Sequence, residues 1–178
     1  MRLKPSAYLV LGMLRLGVGS GYGIKKAADV STRVFWSTSL AQVYPDLARL
    51  EKQGLVTRRD EPRGARPRSV YEVTAKGDEA LLGWLRSARE QSPQYRDEGV
   101  LRLFFADALS HEDQIALVRR LGERARRAEQ EIREDVFPLA EQLEKGGLRF
   151  PAITARLGAD LFGFAAEWAQ RLERDLGR

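Results

Sequence analysis

The 178-residue chain contains no cysteine. That excludes disulfides, a cysteine nucleophile, thiolate zinc sites and iron–sulfur clusters, and it suits a reducing compartment. One histidine, His111, is too few for a multi-histidine metal site. No apolar run approaches the roughly 18 residues of a membrane-spanning helix. The opening Met-Arg-Leu-Lys-Pro and the apolar stretch 7–16 lead to no convincing small-residue cleavage site, so a secretory leader is not expected. The carboxylate pairs Asp97-Glu98, Glu112-Asp113 and Glu134-Asp135 are adjacent and diverge on a helix, so they do not form an acid/base dyad. Gly17, Gly19 and Gly21 fail as a phosphate loop. Tyr22 and Ile24 stand where a further glycine is required, and no Gly-Lys-Ser/Thr follows. The expectation is a cytoplasmic protein that is not an enzyme, with no cofactor, no metal and no membrane partner.

Hydrophobic residues make up 43% and charged residues 31%, enough for a buried core. The net charge of +5 is unevenly spread. Residues 1–85 hold 14 Lys and Arg against 8 Asp and Glu, a balance of +6, and the remainder hold 16 against 17. A basic half followed by a near-neutral half of alternating charge suggests a polyanion-binding module joined to a helical partner module.

Pro5 and Ser6 open a helix with Tyr8, Leu9, Leu11, Leu14 and Leu16 on one face. Residues 17–21 break it, and a second short helix runs from Tyr22 to Val30. Ser37, Thr38 and Ser39 offer caps for a third helix ending near Gln53. Its stripe of Leu40, Val43, Leu47 and Leu50 predicts the buried side, with a bend at Pro45 and a C-terminal stop at Gly54. Residues 55–59 and 68–73 read as strands around a Pro-, Gly- and Arg-rich tip, and Thr74 caps a fourth helix. Helix, helix, helix, hairpin, helix is the order of a winged helix-turn-helix. The predicted fold is therefore mainly α with a small β-hairpin wing. Residues 1–90 are the DNA-binding domain and 97–178 a helical dimerisation domain. In the second, helices are expected over 100–109, from Ser110 past Val118, Leu121, Ala125, Ala128 and Ile132, and over about 151–176. Phe137-Pro138 should kink or break the middle one, and Gly146-Gly147 should end it.

Three segments of the first half carry a family resemblance: Gly21-Tyr22-Gly23-Ile24, Phe35-Trp36-Ser37-Thr38-Ser39-Leu40 and Val43-Tyr44-Pro45-Asp46-Leu47 with the run to Val56. With Arg66-Pro67-Arg68, Val70-Tyr71 and Thr74-Ala75-Lys76-Gly77, they resemble the PadR family of bacterial transcriptional regulators through about Leu85. Asp97-Glu98 followed by Leu101-Arg102-Leu103-Phe104-Phe105 resembles the helical C-terminal domain of its longer subgroup. The resemblance implies a dimeric repressor of inverted-repeat operators. It also implies a phosphate contact for the Tyr44 hydroxyl, with packing as the alternative.

The recognition helix is placed at about 39–53 and the basic wing at about 58–70. Ser39, Gln42, Asp46 and Arg49 are expected to face outward; Gln42 suits an adenine edge, and Arg49 suits guanine or a phosphate. Lys25 and Lys26 are nearby basic groups, and Arg63, Arg66 and Arg68 form the wing's cluster. Leu101, Phe104, Phe105, Ile153, Leu157, Leu161, Phe164, Trp168 and Leu172 are expected at a dimer interface. The aromatic residues among them, with Phe162, otherwise line an effector pocket. The partners expected are double-stranded DNA, a second copy of the chain and a small-molecule effector of unknown identity. The alternative is a helical protein-interaction adaptor that uses the winged helix as a scaffold. The basic first half favours DNA.

Overall fold

The computed structural model describes residues 3–33, 35–62, 68–87 and 96–178, with Arg68 described by its backbone alone. The chain divides into two compact units, Met1–Gln91 and Ser92–Arg178.

The first unit is α1 (Pro5–Arg15), α2 (Gly21–Ser31), α3 (Leu40–Lys52), β1 (Val56–Glu61), β2 (Arg68–Val73) and α4 (Ala75–Leu85). Local chemistry sets the boundaries. Pro5 occupies the first turn of α1, where its missing N–H loses nothing. Ser20 caps α2, its Oγ accepting from the Gly23 amide at 3.1 Å. Gly54 stops α3 at a φ of +68°, a left-handed conformation open to glycine. Thr74 caps α4 by accepting from the Gly77 amide at 3.1 Å, while its hydroxyl donates to the Gly54 carbonyl at 2.9 Å. One threonine thus ties the end of α3 to the start of α4. Gly77 permits this closeness, because a Cβ there would lie 2.1 Å from the Leu55 carbonyl oxygen.

The core of this unit is built from large side chains: Val10, Leu11, Ile24, Val43, Leu47, Leu50 and Val56 are all fully buried. Each such Val, Leu or Ile contributes about 1.5–3 kcal/mol of transfer free energy. Strands β1 and β2 pair antiparallel, with Val56 opposite Val73 and Glu61 opposite Arg68. The Tyr71 amide donates to the Gly19 carbonyl at 2.7 Å, so the α1–α2 turn holds the outer side of β2. The first strand starts one residue later than expected, because the Leu55 amide donates back to the Leu50 carbonyl at 2.9 Å in the turn that ends α3, and it continues to Glu61. Helix α3 passes through Pro45 without ending.

The second unit is α5 (Glu98–Phe104), a 3₁₀ turn at Ala106–Ala108, α6 (His111–Glu131), a π turn at Ile132–Val136, α7 (Phe137–Lys145) and α8 (Arg149–Leu176). Helix α5 is shorter than the expected 100–109 helix, since the 3₁₀ turn takes up its last residues. Asp97 caps it, accepting from the Gly99 and Val100 amides at 2.8 and 3.2 Å. Arg124 of α6 grips the same carboxylate at 2.9 and 2.5 Å. That hydrogen bond, working against partial burial, holds Asp97 below the ordinary carboxylate range. The π turn lies directly upstream of Pro138, whose nitrogen cannot donate to the preceding turn, so the wider turn absorbs the lost bond.

Helix α8 packs on α6 and α7 through small residues: Ala152, Ala155, Ala159, Ala166 and Ala169 are its buried positions. Opposite Ala169 stands Gly122 of α6, where a Cβ would approach to 3.0 Å. A separate cluster joins Ile132, Ala140, Ala152, Ala155 and Ala159, with Val136, Phe137 and Phe162 packed against it. Among the described residues no helix is long and apolar enough to cross a membrane.

Candidate nucleic-acid interface

Helix α3 turns Val43, Asp46, Leu47 and Leu50 inward. At about 100° per residue, the middle of its outer arc is Ala41, Pro45, Ala48 and Lys52, all exposed. Gln42 and Arg49 lie at one edge of that arc, Tyr44 and Glu51 at the other. Two expectations are corrected here. Asp46 is not outward; it is 5% exposed and belongs to the inner face. Leu40 is exposed instead of buried, because it is the first residue of the helix and precedes the packed turns. The outer arc is therefore rotated away from Asp46, toward small apolar residues and a lysine that the sequence reading did not select.

Ser39 and Gln42 interact with each other at the start of α3. The Gln42 Oε1 accepts from the Ser39 amide at 3.1 Å and lies 3.4 Å from its hydroxyl. Gln42 is exposed, and its carbonyl oxygen takes part in the capping box while its NH₂ stays outside that contact. Arg49 is half-buried and pairs with Asp46 at 3.4 Å. Tyr44 is exposed on one side, and its ring covers the start of α2: a Cβ at Gly21 would lie 2.7 Å from Tyr44 Cε1. Phosphate contact and packing are thus both open to this one ring. On α2, Lys25 pairs with Asp29 one turn later, and Lys26 is exposed.

The described side chains of the hairpin stem carry no positive excess, with Arg58 and Arg59 set against Asp60, Glu61 and Glu72. Arg58 donates to Asp60 at 3.1 Å, and Arg59 reaches Glu61 at 3.0 Å and Glu72 across the strands at 3.3 Å. Hydrogen bonds from Ser69 and then Arg58 hold Asp60 below the ordinary carboxylate range. The wing's excess charge therefore rests on Arg63, Arg66 and Arg68. Arg63 and Arg66, and the side chain of Arg68, lie outside the described residues.

A braced helix with a solvent-facing arc, followed by a hairpin, is the geometry of a groove reader. Residues 10–82 match the transcriptional regulator PadR-like family, and residues 95–177 match the virulence activator alpha C-terminal domain. The chain carries a PadR-like domain, the domain of a family of transcriptional regulators, over residues 10–82.

Members of this family are regulators and not enzymes. The negative transcriptional regulator PadR of Bacillus subtilis is 32% identical over 112 residues, which span 62% of this chain and 62% of that protein. Among solved structures, Bacillus subtilis PadR in complex with operator DNA superimposes with a TM-score of 0.81 at 22% identity, covering 97% of this chain and 99% of that one. The same protein has been solved with p-coumaric acid. The Vibrio cholerae virulence activator AphA gives a TM-score of 0.69 at 25% identity, covering 97% and 98%.

In the C-terminal unit of this PadR-like chain, the residues expected at a dimer interface stay outside the chain's own core. Leu101, Phe104 and Phe105 of the α5 region are exposed, Phe104 at 78%. Ile153, Leu157, Leu161, Phe164 and Trp168 run along the outer side of α8, opposite its alanines, with Phe164 at 62%. Leu172 is half-buried. Phe162 differs from the others, being packed on the Ile132 cluster within the chain. The alanine face of α8 is what the sequence reading missed. Its signal was a run of alanines at steps of three, four and seven alongside the more conspicuous aromatic stripe.

Proposed function

We propose that this chain is a dimeric, sequence-specific repressor of transcription that acts in the cytoplasm on an inverted-repeat operator. The observation that carries the reading is the pairing of two surfaces on one chain. One is the exposed arc of α3 beside the wing; the other is the uncovered apolar stripe of α8. The first suits a major groove, where Gln42 and Arg49 reach base edges and Lys26, Lys52, Tyr44 and the wing arginines reach the backbone. The second suits a second copy of the chain, because a stripe of this size stays dissolved only when covered.

The stripe is symmetric in sequence. Ile153 and Trp168, and Leu157 and Phe164, each straddle the same point beside Leu161. Two antiparallel copies of α8 related by a two-fold axis there would set each aromatic ring against an aliphatic side chain. A dimer would hold two α3 helices about one DNA turn apart, roughly 34–36 Å, matching two half-sites. An effector, a small molecule such as the p-coumaric acid bound in the Bacillus subtilis structure, would act through different affinities for two such arrangements.

The absence of cysteine makes the test clean. Leu161→Cys in the full chain should form a covalent dimer on mild oxidation, while Phe150→Cys at the far end of α8 should not. Light scattering should give twice the chain mass. A monomer at micromolar concentration that binds a single half-site as tightly as the full repeat would overturn the dimer reading.

A further inference from the structure

The inner face of α3 carries one charge. Asp46 lies in line with Val43, Leu47 and Leu50, which are fully buried, and its own side chain is 7% exposed. A carboxylate in such a place needs a cation. The cation is Arg49, three residues on, with Nη1 at 3.4 Å from Asp46 Oδ1. Arg49 stands at the border between the buried and outer arcs, its side chain 39% exposed. One guanidinium is thus positioned either to neutralise a buried acid or to turn outward to a ligand.

We propose that Asp46 is a positioning residue that withholds Arg49 from DNA backbone in general and releases it to a guanine in the operator. The inference rests on the DNA-binding reading above. A mobile contact to one phosphate oxygen replaces one ion pair with another and leaves the buried carboxylate unpaired. Guanine O6 and N7 offer two hydrogen bonds in a fixed plane that matches the guanidinium fork, so only that contact outweighs the pair it breaks. Asp46 thereby lowers affinity for the wrong sequence more than for the right one. The 3.4 Å separation, long for a charge-assisted bond, suits a pair that has to open.

The test uses the full chain and two duplexes: one of random sequence, and one selected by the wild-type protein from a random library. Asp46→Asn keeps the shape and removes the charge. On random duplex it should steepen the slope of log K against log salt by about 0.9 and raise affinity about eightfold at 0.1 M salt, the worth of one released counterion. Affinity for the selected duplex should rise less, so discrimination falls. The double variant Asp46→Asn with Arg49→Gln removes both charges. It should restore the wild-type slope on random duplex and weaken the selected duplex at least tenfold. A merely structural Asp46 would change thermal stability and leave the slope alone. The inference is overturned if Asp46→Asn keeps the wild-type slope, or if the double variant's slope falls below wild type by about 0.9. The second outcome would mean that Arg49 already holds a phosphate. If wild-type protein shows no salt-dependent binding to either duplex, the DNA-binding reading fails and this inference fails with it.

Discussion

The two units differ in what packs their central helices. In the first, leucine, isoleucine and valine fill the interior, and the outer arc of α3 is small, polar or basic. In the second, alanines fill the contact between α8 and its neighbours, and leucine and aromatic rings face out. The first unit closes a core of large side chains within one chain, with Tyr22, Phe35, Trp36 and Leu85 left exposed around it. The second is held together by close helix approach, through which little area is buried per residue, and most of its large apolar side chains on α5 and α8 lie outside. A helix with alanine toward its own fold and phenylalanine on its surface is what the proposed dimer would cover.

Substitutions on each side would break or sharpen that contrast. The largest effect is expected in the first unit. Leu47→Ala should lower the unfolding free energy by about 2–5 kcal/mol in urea titrations and abolish DNA binding with it. A loss below 1 kcal/mol would mean that the α3 packing is not what holds this unit. Next is the alanine face. Ala159, 0% exposed, has no room for a larger group, so Ala159→Leu should cost about 1–3 kcal/mol. Leu157→Ala on the opposite side should change the stability of dilute, dissociated chain by under about 0.5 kcal/mol. In concentrated protein it should shift the melting temperature of the dimer downward. Equal losses from the two changes in dilute protein would erase the distinction between the faces.

At the proposed DNA surface, Gln42→Ala should cost about 1–3 kcal/mol at one operator position and flatten base preference there, as read by binding to single-base variants. The smallest effect is expected in acid. Asp97 titrates below its usual range when folded, chiefly because Arg124 donates to it. Its contribution is complete above the unfolded carboxylate value and is lost as pH falls through the lower folded value. Arg124→Met should remove that part of the acid sensitivity of α5, followed by amide exchange of Gly99 and Val100.

Much of this layout was legible in the sequence. Thr74, Ser110 and Gly54 announce their boundaries, because a cap depends on one residue and its immediate neighbours. Thr74 accepts from the Gly77 amide and Ser110 from the Asp113 amide, and Gly54 takes the positive φ. The rotation of α3 was less legible. Leu40 and Asp46 swap the environments that hydrophobicity assigns them, and only the approach of the neighbouring elements decides which arc is covered. Alanine packing was not legible at all. A methyl group carries a weak signal beside Phe164 and Trp168, and its value as a close-approach surface exists only once Gly122 stands opposite. The division of labour between Ser39 and Gln42 follows the same pattern: both residues were marked, and their mutual hydrogen bond was not.

The two-sided construction of α8 has an evolutionary consequence. Fold and the proposed partnership are written on different letters of the same helix: alanines at 152, 155, 159, 166 and 169 for one, the exposed stripe from 153 to 168 for the other. Sister genes in one genome can diverge along the stripe while their alanines stay fixed. Each descendant then keeps its tertiary structure and loses affinity for its paralogue. Insulated regulatory circuits can arise this way from a single duplicated gene, without passing through an unfolded ancestor.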